Sequence, residues 1–269
     1  MFRKMVCRGC IVVALSVFSG CDTHLPENTE SSVDLSNIKD IQSFAGKSFY
    51  EKNVNQRCFD GDTCRETSTT EVTFDKNMES LSHGDEKMTI HLEGQKLVLS
   101  DDSFAMHGDA KRNYVTVLTY LNTGEDRGEV SSILRYYGDK VLADADSASV
   151  QPLTQEALNG QTFYSSHPQC TFEKTKDFMD KEYRYTKLDF TDSKVIITDE
   201  NDHKMELNYS IVSGQINVVD DHGAILSFGL IEKTDTMWIM KKGEDANADG
   251  VPEVIKTDLL CYQKPDGVF

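Results

Sequence analysis

The sequence predicts an all-β protein: two tandem antiparallel, up-and-down barrels or sandwiches of about eight strands each, produced by duplication of one domain. Three observations lead to this prediction. Apolar and polar residues alternate in many short segments, similar segments recur in the same order in two halves, and no segment has a long apolar period of 3.6 residues. Barrels and sandwiches alternate in the same way, so both architectures stay open.

Individual segments show the alternation of a half-buried strand. Residues 87–94 (KMTIHLEG) set Met88, Ile90 and Leu92 against polar neighbours, and residues 204–211 (KMELNYSI) follow the same pattern. Turn signals rich in Gly, Asp and Asn separate such segments. A short helix is predicted before the first strand of each half, in IKDIQSF and in LTQEAL.

Six short segments recur in the two halves in the same order. The first, GKSFY at 46–50, returns as GQTFY at 160–164, an offset of 114 residues that climbs to 125 by the last pair. Six ordered pairs indicate a duplicated domain of roughly 95 to 110 residues. The other pairs are VTFD with LDFT, KMTIHL with KMELNY, GQKLVLSD with GQINVVDD, GED with GED, and RYYG with LCYQ.

The repeat and the polarity of the flanking segments set the predicted boundaries. These are a signal peptide at 1–20, a polar tether at 21–35, a first repeat at 36–138, a linker at 139–152 and a second repeat at 153–269.

The first twenty residues predict export. Arg3, Lys4 and Arg8 precede an apolar run, residues 11–18, that is too short to span a bilayer. The run ends in FSGC, which resembles the signal of bacterial lipoproteins. That resemblance implies acylation, palmitate included, at Cys21 and attachment to a membrane of the cell envelope, at its periplasmic face or at the cell surface. An ordinary cleaved signal peptide is the alternative.

The mature chain is strongly acidic. The whole sequence has 28 Lys and Arg against 45 Asp and Glu, and removal of the signal takes away three basic residues and no acids, leaving 25 against 45 and a net charge of −20. Nucleic-acid partners are disfavoured, because binding them requires clustered Lys and Arg. No other apolar run approaches membrane-spanning length, so the lipid is the predicted membrane anchor.

Four further cysteines remain in the mature chain: Cys58, Cys64, Cys170 and Cys261. An even number in an oxidising compartment predicts disulfides, and four cysteines allow three pairings. Cys58 and Cys64 flank a short polar loop that could close locally, which would leave Cys170 with Cys261. No CxxC spacing or Cys–His cluster favours a metal site instead.

One acidic loop, GEDANADGVPEV at 243–254, has the spacing of a calcium site. Side-chain oxygens at alternate positions, a glycine and then a further acid suit a hard cation. The stretch resembles the DxNxDGxx[DE] calcium loops of many secreted repeat proteins; an acidic hairpin tip that binds no ion is the alternative. The resemblance implies one Ca²⁺ bound by the side chains of Asp245, Asn247, Asp249 and Glu253 and by the carbonyl of Val251.

Each half begins with a Gly-x-[ST]-Phe-Tyr strand after a short helix, and in the second half an early cysteine can meet a late one. This arrangement resembles lipocalin-like, or calycin-type, barrels, with Phe49 and Phe163 at the place of the lipocalin tryptophan. Trp238 and Met240 share one strand face, as do Tyr114, Leu118 and Tyr120. We expect these two groups to fill the barrel interiors; the lining of a ligand cavity is the alternative.

No catalytic motif stands out. The histidines, His83 and His91 among them, show no metal-ligand spacing and are predicted to lie in exposed turns or on strand faces. The sequence therefore predicts a non-enzymatic binding or interaction module of the envelope, whose partner is a protein or a small molecule, with Ca²⁺ ordering one hairpin. The alternatives are an envelope hydrolase with carboxylates in a cleft between the repeats and a structural or adhesion module.

Overall fold

The structure, a computed structural model, describes residues 33–54, 68–93, 96–99, 102–106, 113–121, 130–146, 151–166, 185–199, 201–219, 223, 225–245, 252 and 254–264. Strands dominate these residues, and their helices are short. The predicted all-β class is therefore confirmed.

In the described residues of the first half, two 3₁₀ helices are followed by nine strands. The 3₁₀ helices are Leu35–Asn37 and Ile41–Phe44; the strands are β1 Ser48–Asn53, β2 Thr70–Phe74, β3 Ser80–His83, β4 Glu86–Thr89, β5 His91–Glu93, β6 Lys96–Leu99, β7 Asp102–Met106, β8 Tyr114–Leu121 and β9 Val130–Tyr137.

In the described part of the remaining chain, two α-helices and eight strands follow. They are α1 Lys140–Ala145, α2 Gln155–Leu158, β10 Thr162–Ser166, β11 Tyr185–Phe190, β12 Lys194–Thr198, β13 Lys204–Val212, β14 Gln215–Val219, β15 Ile225–Lys233, β16 Met237–Asp245 and β17 Val254–Cys261.

The second half is a closed, eight-stranded antiparallel barrel. Each strand from β10 to β17 pairs with the next, and β17 pairs with β10, where Cys261 lies opposite Tyr164. Phe163, Trp238 and Met240 lie in its core, as expected from the sequence. Closure removes the unpaired edges that an open sheet would present. The up-and-down barrel predicted for this half is confirmed.

The first half forms a nine-stranded sheet in the order β4-β3-β2-β1-β9-β8-β7-β6-β5. The extra strand arises because residues 87–94, predicted as one strand, are interrupted at Ile90. That residue is buried, and its backbone N–H donates to the carbonyl of Glu79 at 3.0 Å. β4 pairs with β3 and β5 pairs with β6, so the chain changes partners at Ile90, and the two edge strands are consecutive in sequence.

The pairing register corrects one predicted equivalence between the halves. Tyr50 lies opposite Tyr137, and Tyr164, its counterpart by the repeat, lies opposite Cys261. The match of RYYG with LCYQ is therefore wrong by one residue. Tyr136, in the core of the first half, corresponds to Leu260, in the core of the barrel.

A third apolar cluster contains residues from both halves, and every described residue belongs to one compact unit. Leu118 and Tyr120 lie in this cluster, so the expectation that they fill a barrel interior is wrong. Residues 115–120 of β8 are all buried because one face covers the core of the first half and the other packs against the second half. The cluster consists of Val54, Leu118, Tyr120, Ile133, Ile231, Met237, Ile239 and Leu259.

Candidate functional site

Strand β1 carries a carboxylate on the face that points into the first half. Phe49 and Glu51 are two residues apart and share that face, and Phe49 is fully buried in the core. The Tyr136 hydroxyl donates to Oε2 of Glu51 at 2.9 Å, and Nε2 of His83 lies 3.3 Å from its Oε1. We call Glu51, His83 and Tyr136 the inward polar cluster.

The cluster runs from the buried core to solvent. Tyr136 is 1% exposed and its ring packs edge-on against Phe44, whereas the side chains of Glu51 and His83 are 14% and 38% exposed. Glu51 therefore accepts a hydrogen bond from the buried Tyr136 hydroxyl, and it contacts the imidazole of His83, which reaches the surface. A carboxylate has about four acceptor positions, so it can accept from a further donor.

Burial and the neighbouring charge raise the pKa values of two members of the cluster. Desolvation, and then the Glu51 carboxylate, raise the pKa of Tyr136 well above 10, so this phenol stays a neutral donor. The hydrogen bond to Glu51 raises the pKa of His83 above 6.5 against the effect of burial, and the charges of Glu51 and Glu86 act in the same direction.

The second half has no such cluster at the matching positions. Strand register matches Glu51 to Ser165, His83 to Ile197 and Tyr136 to Leu260. Ile197 and Leu260 pack in the apolar core of the barrel. Among the described residues, the inward polar cluster is thus a feature of the first half, and the barrel of the second half forms without it.

Sequence reasoning missed this cluster by treating His83 as an exposed turn residue. The alternation in SFYEKN puts Glu51 on the same face as the buried Phe49, and an inward charged residue is unusual in a strand. That pattern was the available signal. The contact with His83 depends on the pairing of β1 with β2 and of β2 with β3, which short motifs do not specify.

The pH dependence of His83 tests the cluster. A His with a raised folded-state pKa adds stability that is fully present below 6.5, and this stability is lost as pH rises through the folded-state pKa. NMR titration is expected to give His83 a pKa above 6.5 and to show a fall towards that value in Glu51→Gln. Glu93→Gln, at the exposed His91–Glu93 pair, is the control and should leave the His83 titration unchanged. A His83 pKa that is the same in Glu51→Gln would show that the contact is absent in solution.

A second polar cluster lies between the halves, around Arg135 of β9, which is 3% exposed. Its Nη1 donates to the Asp146 carboxylate at 2.8 Å, and its Nε lies 3.4 Å from Oε2 of Glu232, which is 1% exposed. The guanidinium carbon lies 4.4 Å from the centre of the Tyr114 ring. The Arg135 guanidinium thus links β9 to β15 and also to the segment that follows α1. We call Arg135, Asp146 and Glu232 the inter-half ion cluster.

A β-bulge in β15 directs Glu232 into that cluster. Leu230 pairs with Met240 and Glu232 with Ile239, so the register shifts at Ile231. Two successive residues, Ile231 and Glu232, then face the first half, because a bulge adds one residue to one strand of a pair. Leu230 keeps its place in the barrel core.

The predicted calcium loop lies mostly outside the described residues. Asp245 is the last residue of β16, pairs with Ile225 and is 4% exposed. Asn247, Asp249, Val251 and Glu253 are not among the described residues. In the part of the chain that is described, no three His, Cys, Asp or Glu side chains are grouped to hold a metal ion. The calcium site stays a prediction.

The predicted disulfides and the predicted lipidation site also stay predictions. Cys261 ends β17 and is 1% exposed. Cys58, Cys64 and Cys170 lie outside the described residues, so the pairings stay predictions. The lipidation site Cys21 also lies outside them. Across the described ranges, no helix has both the length and the apolarity to cross a membrane.

Comparison with known proteins leaves the family open. No family model matches the chain, and no curated protein matches it. Among solved structures, the chain is similar to the crystal structure of a protein of unknown function from the DUF3598 family of Nostoc punctiforme. The identity is 10%, the TM-score is 0.32, and the match covers 80% of this chain and 93% of that one. A TM-score of this size supports no inference about the present chain.

Proposed function

We propose that this protein is a lipid-anchored envelope protein that binds a small ligand with a cationic head group, without chemical conversion, at the inward polar cluster. The observation that carries the proposal is the inward-facing Glu51 carboxylate, which accepts from Tyr136 and contacts His83 at the end of an otherwise apolar interior. The matching positions of the second half hold Ser165, Ile197 and Leu260.

The charge of the site favours a cation. Glu51 and Glu86 both act on His83 electrostatically, and the mature chain has a net charge of −20. An ammonium group can donate to the remaining acceptor positions of Glu51, and hydrogen bonds that involve charged groups are the stronger ones. Tyr136 would orient the carboxylate from below, and His83 would lie at the entrance.

The carboxylates described between the halves support binding over hydrolysis. The hydrolase alternative places carboxylates in a cleft between the halves. The carboxylates described there, Asp146 and Glu232, are paired with Arg135.

The proposal includes a duplicated origin for the two halves. The consecutive edge strands β4 and β5 meet at Ile90, and β13 changes partners at the matching place, from β12 up to Asn208 to β14 from Tyr209. In this proposal the first half is also a barrel, and its two edge strands, β4 and β5, are joined by the chain itself at Ile90. The lipid on Cys21, the Cys58–Cys64 and Cys170–Cys261 disulfides and Ca²⁺ at 245–253 complete the proposal.

Titration with hexylamine tests the ligand class. We expect the mature chain to bind hexylamine in calorimetry and to show NMR shifts at His83, with no response to hexanol or hexanoate. Glu51→Gln removes the charge with little change of shape and should weaken binding about tenfold or more. Ser165→Ala, at the matching position of the barrel, is the control and should bind like the wild type. Equal hexylamine binding by both variants would contradict the site.

Calcium titration tests the second-half loop. One Ca²⁺ per chain is expected to bind the wild type, with the ~10⁻⁴ to 10⁻³ M affinity of extracellular modules. Asp249→Asn should abolish binding, and Glu244→Gln, a neighbouring acid outside the predicted ligand set, should not. Asp245 is avoided because its burial makes a folding defect the expected result. Absence of binding at several times 10⁻³ M calcium, above the usual range, would refute the site.

A further inference from the structure

Helix α1 is held to the first half along one side. Ala143 is fully buried, and Nζ of the buried Lys52 donates to the carbonyls of Ala143 at 3.0 Å and Asp146 at 2.6 Å. At the other end of the helix, the Asp139 side chain accepts from the Val141 N–H at 2.7 Å. Buried contacts and a capped start fix which face of the helix points outward.

The outward face is apolar. Val141 is 73% exposed and Leu142 is 40% exposed, the only adjacent pair among the exposed large hydrophobic residues of the described chain. Successive helical residues are about 100° apart, so Val141 points nearly opposite the buried Ala143. The neighbouring charges, Lys140 and Asp144, pair with each other at 2.6 Å.

The N-terminal segment joins the folded unit beside this face. The Val33 N–H donates to the carbonyl of Gly138 at 3.1 Å, three residues before Val141. A Cβ at Gly138 would lie 2.2 Å from the Val33 carbonyl oxygen, so this close approach requires glycine. Eleven residues lie between Cys21 and Val33, and the twelve Cα–Cα steps span about 40 Å at most.

We propose that the outer face of α1 is a membrane contact, with Val141 and Leu142 entering the interface of the phospholipid bilayer that holds the lipid of Cys21. This inference rests on the lipid anchor of the proposed function. The anchor brings the membrane near α1, the helix presents an apolar pair there, and the Lys140–Asp144 pair limits the charge that approaches the lipid. The contact would fix the orientation of the folded unit on the membrane surface.

Tryptophan scanning on vesicles tests the contact. The chain has one tryptophan, the buried Trp238, which gives a constant background. Val141→Trp and Val219→Trp, the latter at a site 54% exposed on β14, are prepared in the full lipidated chain and bound to phosphatidylcholine vesicles with and without brominated acyl chains. On vesicles, we expect the tryptophan fluorescence of Val141→Trp to shift to shorter wavelength and to be quenched by the brominated acyl chains. We expect neither change for Val219→Trp.

Three outcomes would overturn the inference. One is the absence of quenching at position 141 while the protein floats with the vesicles. Another is equal quenching at both positions, which would indicate general adsorption. The third is a blue shift at position 141 that depends on protein concentration without vesicles, which would indicate contact with a second copy.

Failure of the lipid anchor is distinguishable from failure of the membrane contact. If the mature chain carries no lipid and does not float with vesicles, that result contradicts the anchor of the proposed function. The same two variants are then held on nickel-chelating vesicles by a hexahistidine tag in place of Cys21. Quenching at position 141 alone supports the contact, and its absence overturns it.

Discussion

Replacing Arg135 with alanine is expected to lower the free energy of unfolding by about 3 to 5 kcal/mol. The substitution leaves Glu232, which is 1% exposed, facing its former partner position and removes the 2.8 Å contact with Asp146. Taking one member from a buried ion pair is costly because the remaining charge stays out of water without compensation. Urea unfolding followed by circular dichroism measures the change.

Two further variants locate the cause of that loss. Arg135→Met/Glu232→Leu removes both charges and should cost much less than the single Arg135→Ala change, because apolar side chains of similar size can replace a buried pair. Lys194→Ala breaks an exposed pair with Glu206, at 2.8 Å, and should cost about 0 to 1 kcal/mol. A loss from Arg135→Ala no larger than that from Lys194→Ala would show that the inter-half ion cluster is open to solvent.

Phe49→Ala in the first half and Phe163→Ala in the second are each expected to cost about 3 to 5 kcal/mol. Both rings are fully buried, with Phe49 4.7 Å from Phe44 and Phe163 4.7 Å from Trp238 between ring centres. Truncation removes apolar contacts and leaves a cavity that the neighbouring rings fill only in part. Scanning calorimetry measures the transition temperature and the number of transitions.

We expect both phenylalanine variants to shift one shared unfolding transition. The apolar cluster between the halves and the ion cluster around Arg135 connect the two cores, so loss of either core exposes the interface. Val219→Ala, at an exposed position, is the control and should change stability by no more than about 0.5 kcal/mol. Two separate transitions, with one unaffected by each variant, would contradict the shared unit.

Alternation and repetition were sufficient to predict strands and a barrel. The pattern of KMELNYSI specified β13, and the repeated Gly-x-[ST]-Phe-Tyr segment located both first strands. Both signals are local: a period of two residues defines a strand face wherever the strand lies. The same pattern in KMTIHLEG did not reveal the break at Ile90, because the exchange of pairing partners depends on strands distant in sequence.

The sequence by itself determined the all-β class, several strand segments of the two halves and the strongly acidic charge of the chain. Each of these follows from composition or from a period of two residues. Only the tertiary structure decided that Leu118 and Tyr120 pack between the halves, that a bulge aims Glu232 at Arg135, and that Glu51 contacts His83 and Tyr136. The contact of Arg135 with Glu232, for example, joins residues 97 positions apart. These contacts depend on strand register and on which of two apolar faces a neighbour covers, and a short stretch of sequence does not specify either.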